Sequence, residues 1–138
     1  MKHAVIALAL LLSAPAWAAG VQTRFMDHSN DLLIDAVTAK AVMAEAIPDK
    51  VWKIYPANKY VFLSQVQGGM NASHTCVVLA RVIVLPLTAT AKAVLFRPQE
   101  TATAFDAKAD SSTEQCKALA KEKLKEATIA VVSAIVKT

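Results

Sequence analysis

The sequence predicts a small α+β domain: an antiparallel meander of three or four strands, flanked by an N-terminal and a C-terminal helix in two layers. Three observations predict it. The run 75–87 is long, β-branched and apolar on both faces, as expected of the central strand of a small sheet. Apolar residues recur at helical spacing near each end of the chain. The links between the intervening strand-like runs are short, which favours antiparallel neighbours, and helices segregated from the strands favour α+β over α/β.

The first 18 residues read as an export signal. Lys2 and His3 are basic, 4–12 is an unbroken apolar run, Ser13-Ala14-Pro15 breaks it, and Ala16-Trp17-Ala18 supplies a small-x-small cleavage site. Cleavage after Ala18 leaves 19–138 as one domain. The apolar run is too short for a stable bilayer anchor, so the expected location is periplasmic or secreted.

Residues 19–28 lack periodicity and are expected to fray. A helix is predicted over 30–46, capped by Ser29 or Asn30, with Leu32, Leu33, Ala36, Val37 and Met43 at helical spacing and Pro48 as its stop. The stretch 48–58 reads as a connector anchored by Trp52 and Tyr55, with a short strand at 50–54. Residues 59–67 alternate as a strand, and Gly68-Gly69 ends it. The central strand closes near Pro86. A third strand is expected at 92–97 and a fourth at 101–105. Ser111-Ser112-Thr113-Glu114 fits a capping box for a last helix reaching Val136. Its apolar stripe runs Cys116, Ala120, Leu124, Ala127, Val131 and Ile135, opposite a row of Lys117, Lys121 and Lys125.

Cys76 and Cys116 are the two cysteines, and an exported chain meets oxidising conditions, so a disulfide is expected. It places the last helix on the Cys76, Val78, Ala80, Val82 and Val84 face of the central strand. Matching by polarity adds Tyr60, Phe62, Val66, Val94 and Phe96 to that covered face. The opposite face collects Gln65, Leu79, Arg81, Ile83 and Arg97, apolar area studded with arginine, and is the expected partner-binding surface.

The formal net charge of +4 is mild and its lysines and arginines are dispersed, which excludes a nucleic-acid binder. There is no nucleophile elbow and no phosphate-cradling glycine loop. Asp27, Asp31 and Asp35 are four apart, as on a solvated helix face. The expectation is therefore no catalytic residue and no cofactor. Function is read as binding: a small exported accessory, inhibitor or immunity-type protein acting through a protein partner or through self-association. The alternative is soft-metal handling, in which Met70, His74 and Cys76 hold copper(I) through thioether, imidazole and thiolate.

Overall fold

The computed structural model describes residues 20–137, so the expected export signal lies outside the described residues. The elements are β1 (Phe25–Asp27), α1 (Ala36–Ala46), α2 (Asp49–Ile54), β2 (Tyr60–Met70), β3 (Cys76–Pro86), β4 (Glu100–Lys108) and α3 (Thr113–Val136). They form an α+β two-layer domain, with a four-stranded sheet in the order β1-β2-β3-β4. β2, β3 and β4 make the antiparallel meander, and β1 adds a parallel edge beside β2.

β3 is the centre, as its sequence requires. Cys76, Val78, Ala80, Val82 and Val84 are all buried on the face packed by α3, in one core with Phe62, Met43, Leu124 and Val131. The Cys76–Cys116 disulfide joins the first residue of β3 to the first turn of α3, with the Cα atoms 5.5 Å apart. Trp52 fills the other end of this layer, edge-on to both Phe25 and Phe62 at 5.5 and 5.1 Å between ring centroids. Ser112 accepts from the Gln115 amide while the Gln115 side chain accepts from the Ser112 amide. This is a capping box one residue later than the Ser111/Glu114 pairing the sequence suggested.

Four local expectations are corrected. Residues 25–27 do not fray. β1 is tied to β2 through the Phe62 amide on the Arg24 carbonyl and the His28 amide on the Ser64 carbonyl. The first helix begins at 36 rather than 30, because Asn30 closes a turn of its own and Asp35 then caps α1. The run 50–54 is helix, not strand. Asp49 sits in its first turn, and the four-residue spacing of Val51 and Tyr55 suits one helical face.

The fourth correction matters most for function. Residues 92–97 are not a sheet strand. The chain turns back at 88–93 through the Thr88 and Ala91 amides, with Ala91 at φ 54°, and makes a single bridge between Leu87 and Val94. Val94 therefore packs on the face away from the helices, with Val61, Leu63, Ile83, Leu85 and Leu87 in a second small core. Phe96, expected on the covered face, is 82% exposed. The third meander strand is β4.

Candidate functional site

The face of the sheet away from the helices is divided in two. Reading across β2, β3 and β4, one row is Leu63, Ile83 and Thr101, the next Gln65, Arg81 and Thr103, and the next Gln67, Leu79 and Phe105. The 88–97 loop covers the end that contains Leu63 and Ile83. It leaves the other end open, where Arg81 is exposed, Gln65 and Leu79 are half-buried and Phe105 is 62% exposed.

The five residues singled out from the sequence are therefore not all brought together. Gln65, Leu79 and Arg81 share the open half. Ile83 lies beneath the loop at 4% exposure. Arg97 is exposed on the loop itself, beyond the covered half. Sequence reasoning passed over Phe105 and Thr103. Their signal was the alternation Thr101, Thr103, Phe105, Ala107, which stands out only once 92–97 is removed from the sheet.

β4 is also the long free edge. The Leu87 amide on the Lys59 carbonyl and the Asn71 amide on the Thr75 carbonyl show that the odd residues of β3 turn their amides toward β2. Its even residues then face β4, whose odd residues turn outward. Two outward amides are held by neighbouring carboxylates: Thr101 donates to Glu100 Oε1 at 3.0 Å and Ala107 donates to Asp106 Oδ1 at 2.8 Å. The amides of Thr103 and Phe105 between them have no hydrogen bond among the described residues. Such an open stretch is a template for another strand.

Behind this edge, Lys123 of α3 carries a cluster of charge contacts that reaches toward β4. Lys123 Nζ lies 2.6 Å from Glu126, 3.4 Å from Glu122 and 3.9 Å from Asp106 of β4. The Glu126 hydrogen bond, helped by the nearby carboxylates, raises the Lys123 pKa above the ordinary lysine value. The ammonium thus stays charged against β4 throughout the physiological range.

The alternative metal set comes apart at its cysteine. The Cys76 sulfur is bonded to Cys116, so no thiolate stands beside His74 and Met70. His74 is exposed at a positive-φ position of the β2–β3 hairpin, and its carbonyl accepts from the Ser111 amide. Met70 instead lines a groove of about 520 Å³ between the 30–33 turn, the hairpin glycines and the start of α3. Its lining combines the apolar Leu32, Leu33 and Met70 with the polar Asn30 and Thr113 and the charged Asp31 and Lys117. Among the described residues no cluster of three or more histidines, cysteines or carboxylates is placed to hold a metal ion, and no helix is long and apolar enough to cross a membrane.

No protein-family model and no curated protein sequence matches the chain. Among solved structures it is similar to a PelC variant from Paraburkholderia phytofirmans, a dodecamer, at 13% identity, covering 86% of this chain and 94% of that one with a TM-score of 0.47. A second crystal form of the PelC dodecamer gives 13% identity, 80% and 87% coverage and a TM-score of 0.45. A protein of Caulobacter crescentus described as a candidate lipoprotein gives 13% identity, 79% and 83% coverage and a TM-score of 0.37.

Proposed function

We propose that this is a small exported binding module without catalytic machinery, of accessory, inhibitor or immunity type, which acts through a protein partner. The partner engages the open half of the sheet and the free edge of β4. One observation carries the reading: Leu79, Arg81 and Phe105 form an uncovered apolar and cationic surface directly beside the unpaired amides of Thr103 and Phe105. Side-chain anchors next to open backbone donors are what strand addition uses, with the backbone giving affinity and the side chains selectivity. Arginine and an aromatic side chain are the residue types that dominate interface energetics.

A photocrosslinking residue at Phe105, in protein expressed through its own export signal, tests this. The expected result is a discrete adduct that disappears with Arg81→Glu, while the melting temperature of Arg81→Glu stays within about 2 °C of the parent, since exposed substitutions usually cost little. No adduct at Phe105, or an adduct equally strong at the exposed α1 residue Ala41, counts against the reading.

Self-association is the second reading, and β4 itself favours it. Pairing two copies antiparallel about Ala104 opposes Thr103 to Phe105 and Thr101 to Ala107, and sets Glu100 of each copy opposite Lys108 of the other. The neighbouring register about Thr103 would oppose Glu100 to Asp106, so charge selects between the two. Sedimentation equilibrium reads the outcome. Glu100→Lys weakens the dimer and the swap Glu100→Lys with Lys108→Glu restores it; a monomer at all concentrations removes this reading and leaves the open face to a different protein.

A further inference from the structure

Charge is unevenly placed along the chain. Between 50 and 99 there is no aspartate or glutamate, while six lysines and arginines fall there. The fold gathers most of these at one end of the sheet. The turn before β2 carries Lys59, whose carbonyl accepts from the Leu87 amide, so it sits beside the 88–97 loop with Lys92 and Arg97. α2, packed through Trp52 onto Phe25 and Phe62, brings Lys53 to the same end.

Exposed apolar groups converge there too. Phe96 is the apex of a tight turn closed by the Arg97 amide on the Leu95 carbonyl at 2.7 Å. It is 82% exposed, Leu95 beside it is 44% exposed and Ile54 at the end of α2 is 56% exposed. This tip is held in place. Leu95 donates to the Pro86 carbonyl, Arg24 Nη2 donates to the Ala91 carbonyl at 2.9 Å, and Val94 is seated in the second core. Glu100 is the nearest carboxylate in sequence, and it is engaged by the Thr101 amide.

We propose that this end of the domain docks on an anionic phospholipid surface, with Phe96 and Leu95 entering the headgroup region and Lys53, Lys59, Lys92 and Arg97 facing the phosphates. An aromatic and an aliphatic side chain presented on a firm turn between cations is the chemistry of interfacial insertion. A protein partner of matching acidity would satisfy the charges, yet would leave Phe96 projecting from a convex tip rather than lying against a flat face. The proposal is independent of the partner face, since Leu79, Arg81 and Phe105 lie at the other end of the sheet.

Phe96→Trp in the full chain tests it by a local readout, with the unsubstituted protein as background and Phe105→Trp as the positional control. Vesicles of phosphatidylcholine with about one third phosphatidylglycerol should blue-shift the indole emission at 96, and brominated lipid should quench it. The indole at 105 should change in neither way. Lys92→Glu with Arg97→Glu should lower vesicle partitioning roughly ten-fold or more, because each basic residue near an anionic surface contributes several-fold. Added salt should weaken binding in the same sense. No vesicle binding, or equal quenching at both positions, overturns the proposal. So does an indole at 96 that is already shielded in vesicle-free solution, which would mean that protein covers the tip.

Discussion

The carboxylate of Asp27 accepts a 2.6 Å hydrogen bond from the fully buried hydroxyl of Ser64, 37 residues away in sequence. Ser29 donates to the same oxygen at 2.6 Å, and its own hydroxyl accepts from the Val66 amide. A three-residue strand has too few ladder bonds to hold itself, so this network is what secures β1 to β2. Without Asp27 the buried Ser64 hydroxyl keeps only its longer 3.3 Å bond to the Met26 carbonyl, and a poorly satisfied buried hydroxyl costs more than the bond itself contributes. Asp27→Ala should lower unfolding stability by about 1–3 kcal/mol in urea titration. Ser64→Ala, which removes the buried hydroxyl along with its need for a partner, should cost less. Losses near zero for both variants would show that the network is dispensable.

The disulfide predicts a larger effect. It closes a separation of 40 residues, for which loop-closure entropy gives about 4 kcal/mol of stabilisation. Both sulfurs are buried, and the bond pins the start of α3 to the sheet centre. Reduction, or Cys76→Ala with Cys116→Ala, should therefore bring the urea midpoint down sharply while leaving α3 packed at neutral pH. A shift below about 1 kcal/mol would mean that the reduced, unfolded chain is already compact across this span.

Much of this architecture was legible because its signals are long. β3 has eleven residues and α3 has twenty-four, and in both the periodicity, the caps and the cysteines agree. The short elements were not legible. β1 has no pattern of its own and exists because β2 offers an edge and Asp27 finds Ser64. Residues 92–97 have the composition of a strand, yet Pro98 lacks an amide for a ladder and Thr88 can close a tight return, so tertiary contact with the second core decided their fate. That one change moved Val94 to the other face, buried Ile83, carried Arg97 off the sheet and uncovered Phe105. Parity within a strand could be read from sequence. Which strand lay next to it could not.

Gly68 and Gly69 separate a clash from a conformational cost. Both have positive φ, 117° and 148°. A Cβ on Gly68 would run into the Val77 carbonyl across the hairpin, whereas one on Gly69 would meet nothing within 4 Å. Gly69→Ala should cost about 1 kcal/mol of strain. Gly68→Ala adds a backbone collision and should cost about 3 kcal/mol or more, with the β2–β3 register disturbed near Met70. Paired melting curves decide it; similar losses for the two variants would show that the hairpin moves aside without resistance.

The cap of α1 carries a pH dependence of known sign. Asp35 accepts from the Thr38 amide and the Thr38 hydroxyl, each at 2.8 Å, and these bonds hold its carboxyl below the usual 3.8. A carboxyl depressed in the folded state binds a proton more readily when unfolded, so acid favours unfolding. The contribution is fully present above the unfolded value and is lost as pH falls from about 4 through the folded value. Asp35→Asn keeps an acceptor for the cap but cannot titrate. Its melting temperature should lie slightly below the parent at neutral pH, where the charged cap and the positive helix end attract. The two curves should converge in acid, below the folded value. A gap that stays constant from about pH 7 to pH 2 would mean that the Asp35 carboxylate is no better bound in the native protein than in the unfolded chain.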